Sequence, residues 1–518
     1  MESLALSVLV VLLAFWLLRL ARARLSKFPL PPGPPPRLII GNLADLPTIK
    51  PWITYARWSK TYNSELIHVQ ALGQNIVIVN GLAAAIEVFE KRAHNFISRP
   101  ELIMLRLMNW DWNLGLMPYG PRWARHRRIY ESTLRKESVM KYEDIQTSKI
   151  QDLLQSILET PQHFLRHIQT LTAAFSMAAI YGYDIKSMED PYVDLADKSV
   201  AMLSASIFPG ALLVNAFPVL NRLPRWFPGT GFKSFAEECN ALTTRMRDEP
   251  IANIKRRMAE GTAPACLAVK LFEEHSIKDS PEPVEEIVKD VTASTYAGAA
   301  DTAHSAIRTA FYCLASHPEV VRKARAEIHH ILGTGRLPLP SDQPLLPYLE
   351  AVFREVMRFY PAAPLVPRAA LEDDVVGGYF IPKGTTVLSN LWAITHDPEM
   401  FEDPDEFRPE RFLNPDGTLN NDSEDRIFAF GFGRRICPGR HLATSFVWTT
   451  IASVISVFDF HPARDEMGNE IPVKTEYTDG LVCHPKAFQC ALVPYSKEAT
   501  SLIDGSLHDV NESYSMGA

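Results

Sequence analysis

The stretch of residues 430–440 constrains this chain most, because it places one cysteine among glycines directly before an apolar helical pattern. Cys437 precedes residues 441–458, whose apolar periodicity predicts a helix, and Pro438 is suited to the first helical position. A helix N-terminus carries partial positive charge and unpaired N–H groups, so it favours a thiolate over a thiol. The segment therefore predicts a thiolate ligand held in a tight turn.

The residues around Cys437 extend this interpretation. Gly431 and Gly433 allow the backbone to turn tightly beneath the sulfur, and Gly439 lets a flat ligand approach the start of the helix. Arg435 supplies a cation suited to a carboxylate of that ligand. A thiolate offered from a glycine-lined loop with one open face suits a haem iron.

The same segment resembles the haem-binding loop of cytochrome P450 enzymes, which has the pattern Phe-x-x-Gly-x-Arg-x-Cys-x-Gly. The matching residues are Phe430, Gly433, Arg435, Cys437 and Gly439. The resemblance implies that Cys437 is the axial ligand of the iron of haem b and that the other four residues bind the cofactor. A dinucleotide-binding loop is excluded, because Ile436 stands where the third glycine of that motif would be.

Composition limits the class of protein and its partners. The chain has 518 residues, 47% of them hydrophobic, and shows no linker after the first forty residues. A net charge of −7 argues against a nucleic-acid partner. The six cysteines include no C-x-x-C pair, so neither a zinc-binding motif nor a disulfide framework is indicated. Cys239, Cys266 and Cys313 are predicted to be small buried hydrophobic residues.

The N-terminal residues predict a membrane anchor. Residues 4–20 are apolar except Arg19 and are long enough to cross a bilayer core at roughly 1.5 Å per residue. The alternative is a cleaved signal peptide, since residues 21–23 resemble a cleavage site. However, the basic cluster follows the apolar run, and that arrangement keeps the downstream chain in the cytosol. The predicted organisation is an anchor with its basic flank (1–27), a proline-rich hinge (28–36), a catalytic domain (37–494) and a disordered tail (495–518).

The body of the chain is predicted to be mainly α-helical with a smaller β-rich part. Residues 66–80 predict a hairpin around Gly73, and residues 83–90 a helix. Helical periodicity dominates residues 121–326, and a second strand region covers residues 373–389. This is the mixture that the cytochrome P450 fold would give, here preceded by a transmembrane helix.

A basic helical segment, residues 122–128, carries a second match to the family. Trp123 and Arg127 share one helical face at positions i and i+4 and fit the family's Trp-x-x-x-Arg, which binds a haem propionate. The alternative for this segment is a solvated charged face. His126 has no second histidine at ligand spacing and is predicted to lie on the surface, whereas Arg368 is predicted to contact the second propionate.

Residues 286–316 predict one long apolar helix with Asp301 and Thr302 at its centre. Both residue types are poor choices for a helix interior, because their side chains compete for backbone hydrogen bonds. The segment resembles the family's long helix over the haem, which implies that the pair delivers protons during oxygen activation. Ala299 replaces the usual glycine of that motif. The alternative is a threonine hydroxyl that bonds to the preceding turn.

A third match has a structural role. Glu355 and Arg358 lie three positions apart on an amphipathic helical pattern that ends before Pro361, in the family's Glu-x-x-Arg-x-x-Pro spacing. Arg411 lies in a downstream segment that resembles the family's Pro-Glu-Arg-Phe element. The resemblance implies that Glu355, Arg358 and Arg411 form one ion-pair network in the core.

The resemblance also places substrate contacts in the segments 103–120, 207–218, 293–300, 362–366 and 481–482. These segments are largely apolar, with Trp110, Trp112, Phe208 and Phe217 prominent. Asp111 could meet a cationic nitrogen; the alternative is a solvated loop carboxylate. Residues 207–232, with apolar side chains interrupted by prolines, predict a second contact with membrane lipid; the alternative is that these side chains are buried in the domain.

These matches together imply a monooxygenase that uses haem b and oxidises an apolar small molecule, such as a terpenoid, polyketide or alkaloid of fungal secondary metabolism. The chain has no flavin or nicotinamide fingerprint, so NADPH would act only through a separate NADPH-cytochrome P450 reductase, with cytochrome b5 as a further candidate partner. The expected location is the endoplasmic reticulum membrane, single-pass, with the catalytic domain facing the cytosol. A haem-thiolate isomerase or dehydratase acting on a peroxide, and a haem-binding sensor, remain as alternatives.

Overall fold

The computed structural model describes residues 27–185, 189–207, 213–274, 280–420 and 427–504. The predicted anchor falls outside these residues, apart from its last position, Lys27. Among the residues that are described, no helix combines the length and the apolar character needed to cross a membrane.

Helices make up most of the described chain, as the sequence predicts. The α-helices are α1 (Pro51–Tyr62), α2 (Leu82–Ile86), α3 (Ile103–Leu107), α4 (Pro121–Thr133), α5 (Lys136–Val139), α6 (Glu143–Glu159), α7 (Phe164–Tyr181), α8 (Pro191–Ile207), α9 (Leu213–Ala216), α10 (Phe232–Ala259), α11 (Leu267–Glu273), α12 (Val284–Ser316), α13 (Pro318–Leu332), α14 (Pro347–Phe359), α15 (Leu391–Thr395) and α16 (Arg440–Val457). One π-helical segment, Glu87–Lys91, continues α2.

Strands form a smaller part beside the helices. They are β1 (Leu66–Ala71), β2 (Gln74–Val79), β3 (Leu365–Ala369), β4 (Asp374–Val376), β5 (Tyr379–Ile381), β6 (Thr386–Asn390), β7 (Phe458–Pro462) and β8 (Cys490–Pro494). The largest sheet has the order β1-β2-β6-β3, in which β2 and β6 run parallel. The other strands form the hairpins β4–β5 and β7–β8. Leu72 and Gly73 both have positive φ, as a two-residue turn between β1 and β2 requires.

The longest helix, α12, runs through the centre of the helical part. It has 33 residues, which corresponds to roughly 50 Å, and it ends at Ser316 because Pro318 cannot continue it. Aromatic stacking joins it to its neighbours: Phe311 stacks on Phe164 of α7, and Phe175 of α7 stacks on Phe446 of α16. These contacts fix α12 relative to α16, the helix that follows Cys437.

Two boundary predictions differ from the structure. Helix α16 begins at Arg440 with Gly439 as its N-cap, so Pro438 lies in the turn before the helix and not at its first position. Residues 497–504, predicted to be part of a disordered tail, form a helix. The buried side chains of Ala499 and Ile503 are one turn apart, and this apolar face packs against the domain. The rest of that tail, residues 505–518, is outside the described residues.

Candidate functional site

The loop that carries Cys437 is fixed by its glycines and by one backbone bond. The Cys437 N–H donates to the Phe430 carbonyl at 2.9 Å, which closes the loop. Gly431 and Gly433 have φ of 76° and 56°, values that other residues rarely adopt. A Cβ on Gly433 would also collide with the carbonyl oxygen of Phe89 in the π-helical segment. Glycine is thus required in this turn, as predicted, and Gly433 is the position where a side chain is least tolerated.

The Cys437 thiol has a raised pKa in the protein alone, and burial is the main cause. The Gly439 N–H and the charges of Arg127 and Arg440 act in the opposite direction. The Gly439 N–H therefore acts in the direction that the sequence predicts, but desolvation outweighs it and the nearby charges in the protein alone. A positive metal centre supplies the interaction that deprotonates such a thiol.

Arg435 lies buried beside the loop, and backbone carbonyls hold its guanidinium group. It donates to the carbonyl oxygens of Ile97 at 2.7 Å, Leu114 at 3.2 Å and Met117 at 2.9 Å. Its guanidinium carbon lies 4.1 Å from the ring centroid of Trp123 on α4. These contacts place Trp123 next to the loop, as the sequence predicts.

Two more of the predicted arginines reach the same loop from other elements. Arg127 of α4 donates to the carbonyl oxygen of Ile436 at 2.8 Å, and Arg368 of β3 donates to that of Phe432 at 2.9 Å. Sequence reasoning missed a fourth cation, Arg99, which donates to the carbonyls of Gly115 and Pro367. A lone arginine before a proline carries no sequence signal for this role.

Arg99, Arg127, Arg368 and Arg435, called the arginine cluster below, lack matching negative charge. Within the described part of the chain, the exposed Glu131 is the one carboxylate that forms an ion pair with them, through Arg127. Burial and the neighbouring guanidinium groups lower the pKa of Arg435 to about 7 and that of Arg368 well below its usual range. The cluster is therefore electrostatically incomplete and favours a bound anion.

Unsatisfied donors at the same place test whether a haem would fit. The indole Nε1 of Trp123 and the Nε of Arg368 are buried without hydrogen-bond partners. A buried donor without a partner costs about 1–3 kcal/mol, which a bound carboxylate would recover. The two propionates of haem b supply two such carboxylates, and Cys437 supplies the iron ligand. The residues present thus fit the group that the loop motif implies.

Asp301 and Thr302 lie in the middle of α12, which continues past them as regular α-helix. The Thr302 hydroxyl donates to the Gly298 carbonyl at 2.6 Å. This is the bond to the preceding helical turn that the sequence offers as the alternative to a catalytic role. Asp301 Oδ1 lies 2.9 Å from His484 Nε2, in the segment before β8. His484 was missed by sequence reasoning, because it is distant in sequence and belongs to no motif.

Glu355, Arg358 and Arg411 meet in the core, as the sequence predicts. Arg358 donates to both carboxylate oxygens of Glu355, at 2.7 and 2.8 Å. Arg411 donates to Glu355 Oε1 at 3.1 Å, and the Arg408 N–H donates to the same oxygen at 2.8 Å. Glu355 is fully buried, and the remaining donors of Arg358 bind backbone carbonyls. This is called the glutamate network below.

A cavity of about 710 Å³ opens beside the sheet. Its lining is mainly aliphatic and, among the described residues, includes four of the five segments predicted to contact substrate: Leu105 and Leu116, Ile207, Leu365, and Leu481. The α12 segment 293–300 is not part of this lining. The cavity's volume and apolar lining are typical of a small-molecule site.

Three side chains differ from their predicted surroundings. His126, predicted on the surface, is almost fully buried in α4 and contacts Glu282 at 3.2 Å. Its spacing in the sequence carries no signal for this burial, because its partner Glu282 lies 156 positions further along the chain. Trp110 and Trp112 are buried with rings 5.3 Å apart, which makes them core residues outside the cavity lining. Asp111 between them is exposed, so the solvated alternative holds for this carboxylate.

Comparison with known proteins identifies the family of the chain. The family model for cytochrome P450 matches residues 31–492. A cytochrome P450 monooxygenase of Armillaria gallica is 38% identical over 506 residues, covering 97% of this chain and 98% of the relative. The cytochrome P450 monooxygenase claR of Ampulloclitocybe clavipes is 37% identical, covering 92% and 88%. The monooxygenase ple1 of Rhodocybe pseudopiperita is also 37% identical, covering 95% and 94%.

Proposed function

The chain belongs to the cytochrome P450 family, and from this premise we propose that it oxidises an apolar small molecule with O2 and electrons from a separate NADPH-dependent reductase. Membership in the family makes it a haem-thiolate monooxygenase that uses haem b. The observation that carries the proposal is the arginine cluster around the Cys437 loop, because the carboxylates of a bound cofactor would supply the negative charge that this cluster lacks.

The protein's own residues hold the cofactor in this proposal. Arg127, Arg368, Arg435 and the Trp123 N–H would bind the propionates, and Cys437 would bind the iron. Phe430, Gly433 and Gly439 shape the loop that presents Cys437. When bound, the haem supplies the activation of O2, with the thiolate donating electron density to the iron.

Proton delivery is the second task of the chain. We assign it to Asp301 and Thr302, because the pair follows the small apolar residues 297–300 of α12 and Asp301 contacts His484 in the segment before β8. The Thr302 hydroxyl would leave its hydrogen bond to the Gly298 carbonyl and act as the proton donor at the site of reaction. Asp301 would supply the proton that is delivered there. Proton delivery therefore requires both Asp301 and Thr302.

The substrate is proposed to be an apolar terpenoid, polyketide or alkaloid of fungal secondary metabolism. Aliphatic side chains dominate the cavity, and its charged lining residues, Arg99 and Asp479, are few. Such a lining binds a ligand mainly by excluding water from apolar surface. A strongly charged substrate would lose hydration without gaining partners.

Attachment to the endoplasmic reticulum membrane is proposed from two features. Residues 1–27 would form the anchor. The second feature is an exposed apolar patch in the described part of residues 207–232, where Trp226 is 81% exposed. The other large apolar side chains exposed there are Leu213, Phe217, Val219 and Phe227.

Expression in a microsome-forming host tests the activity. The full chain is co-expressed with a fungal NADPH-cytochrome P450 reductase, and extracts are screened against a panel of terpenoids, polyketides and alkaloids. We expect NADPH- and O2-dependent products that carry one added oxygen atom. Turnover of a lipid hydroperoxide without reductase, and no reductase-dependent product across the panel, would instead favour the isomerase or dehydratase alternative.

Thr302→Ala tests proton delivery. We expect the variant to bind haem and substrate and to consume NADPH, because the hydroxyl contributes one local bond to the fold. Product per NADPH should fall by about 10-fold or more, with oxygen released as hydrogen peroxide. Thr292→Ala, which removes a hydroxyl that donates to the preceding turn of the same helix but lies outside residues 293–300, is the control. Unchanged coupling of NADPH to product in Thr302→Ala would contradict the assignment.

Deleting residues 1–27 tests the second membrane contact. We expect the truncated protein to remain partly in the membrane pellet at low salt, because the apolar patch still binds lipid. Adding Val219→Ser and Trp226→Ser should release it into the soluble fraction. The matched control is Met467→Ser, which changes an exposed apolar side chain outside the patch. Complete solubility of the truncation alone would exclude this contact.

A further inference from the structure

Three side chains with metal-ligand chemistry meet at the centre of α12. Asp301, His304 and His484 each offer one ligand atom, and these atoms all lie within 4.8 Å of one another. Asp301 and His304 are about one turn apart on the helix, and His484 approaches from the segment before β8. Two histidines and one carboxylate leave one position open on a tetrahedral ion.

Unpartnered ring nitrogens at the same place point to a ligand. His304 is 9% exposed, and its Nε2 is buried without a hydrogen-bond partner. The Nδ1 of His484 is also buried and unpartnered, although its Nε2 contacts Asp301 at 2.9 Å. A buried polar group without a partner is destabilising, so a helix that needed only packing here would be more stable with an apolar residue. The contact between Asp301 and His484 does not account for the unpartnered nitrogen of His304.

The two elements that carry the ligands are held against each other. The Ser305 hydroxyl on α12 donates to the Cys483 carbonyl at 2.5 Å. The His484 N–H donates to the Thr478 hydroxyl at 2.9 Å, and the Cys483 N–H donates to the Ala362 carbonyl at 2.8 Å. His484 therefore comes to α12 on a fixed backbone, and only short side-chain movements separate the three groups from metal-ligand distances.

The charge around the three groups can accept a divalent cation. Asp197 of α8 acts electrostatically on both Asp301 and His484, and Arg308 of α12 acts on His304. The two carboxylates outweigh the one guanidinium group, so the local balance is negative before an ion binds. Neutral imidazoles and a carboxylate are ligands that Zn²⁺ accepts.

We propose that Asp301, His304 and His484 form a binding site for one Zn²⁺ ion. The site lies on the helix that carries Thr302, and an ion bound there would hold the carboxylate of Asp301. Zinc would then inhibit the enzyme by withdrawing Asp301 from proton delivery. This inhibitory effect depends on the proposed role of Asp301, whereas the binding of zinc does not.

Zinc binding is measured on the full-length holoenzyme in detergent, without a histidine tag and after stripping with EDTA. Isothermal titration with ZnCl2 gives the affinity, and mass spectrometry after gel filtration gives the bound zinc per chain. We expect one ion per chain, and an affinity about 10-fold or more weaker in both His304→Gln and His484→Gln. His163→Gln, which changes an exposed histidine, is the matched control and should bind like the parent.

The red-shifted Soret band of the reduced carbonyl complex verifies that each variant is folded around its haem. If His304→Gln fails to fold, His484→Gln still tests the site, because His484 lies outside the helix. Equal zinc affinity in the parent and His484→Gln would overturn the proposal. Loss of binding in His126→Gln alone would do so too, because it would locate the ion among His126, Glu282 and Asp290.

Activity separates this proposal from the proposed function. We expect saturating zinc to raise the hydrogen peroxide released per NADPH in the parent and to have no effect in His484→Gln. Zinc that binds at one ion per chain without changing the coupling would leave the site intact and contradict the role of Asp301. Absence of binding, combined with uncoupling in Thr302→Ala, would leave the proposed function intact and overturn the site.

Discussion

The glutamate network and the arginine cluster both bury guanidinium groups, but they differ in what completes them. Arg358 and Arg411 share the carboxylate of Glu355, so their network is closed within the chain. In the part of the chain that the structure describes, the side chains of Arg368 and Arg435 donate only to backbone carbonyls, and the charge of Arg368 helps to lower the pKa of Arg435. The glutamate network contains its own anion and stabilises the fold. The arginine cluster lacks an anion and is suited to binding one. The difference separates stability from function within one domain.

The same substitution should therefore have opposite consequences in the two regions. Removing a guanidinium from the glutamate network leaves a buried carboxylate without its partner, which is costly. Removing Arg368 from the arginine cluster relieves repulsion in the apoprotein at the loss of one bond to a backbone carbonyl, so its main effect is on the bound state. Methionine replaces arginine with a side chain that fills much of the same space without charge. Three substitutions use this contrast, beginning with the one of largest effect.

Arg358→Met should prevent accumulation of folded holoprotein. The fully buried Glu355 would lose its bidentate partner, at a cost of about 3–5 kcal/mol. That is a large share of the roughly 5–15 kcal/mol by which domains are stable. The yield of soluble haem-containing protein measures the effect. Arg408→Met, in an exposed pair with Glu402, is the control and should cost less than about 1 kcal/mol. Full haem occupancy in Arg358→Met with only reduced turnover would contradict a structural role.

Cys437→Ala should abolish the red-shifted Soret band of the reduced carbonyl complex and leave a folded protein. The thiol lies in the loop beside the arginine cluster, and its Sγ is the atom proposed to bind iron. Circular dichroism and gel filtration report the fold. Cys313→Ala is the matched control, because Cys313 is buried next to the glutamate network, and its band should persist. Persistence of the band in Cys437→Ala would refute the ligand assignment.

Arg368→Met should accelerate loss of haem and leave the apoprotein as stable as the parent or more stable. Arg368 makes one described side-chain bond, to the Phe432 carbonyl, and its pKa is lowered by burial and by Arg99 and Arg127. Losing a charge-assisted bond to a propionate corresponds to a loss rate about 10- to 100-fold higher. Transfer of haem to apomyoglobin gives the rate, and urea unfolding of the apoprotein gives the stability. Destabilised apoprotein with unchanged haem loss would assign Arg368 to the scaffold.

The fold class and the positions of the two regions were predictable from the sequence, because each rests on local spacing. Glu355 and Arg358 lie three positions apart on an amphipathic helix, and that spacing alone places them on one face. Trp123 and Arg127 follow the same rule on α4. The hairpin around Gly73 was predictable because alternation and a turn residue lie within one short segment.

The other features of the site depend on tertiary contacts, which no local sequence pattern predicts. Arg99 lies in the arginine cluster and His484 contacts Asp301. In both cases the residues are far apart in sequence and no motif connects them. His126 is buried although its sequence neighbours are charged, since α12 and the segment before it cover that face of α4. The pKa of Cys437 rises because burial, which the sequence does not report, outweighs the helix N-terminus.

The sheet order has a consequence for how this protein is made. The parallel pairing of β2 with β6 is reinforced by the Asn390 side chain, which donates to Asn80, 310 positions earlier in the chain. A ribosome adding about 5–20 residues per second needs on the order of 15–60 s to synthesise that interval. During this time β2 has only β1 as a partner, and its other edge is open. Chaperones that cover strand edges thus have a defined time window on this nascent chain, which closes only when β6 leaves the ribosome.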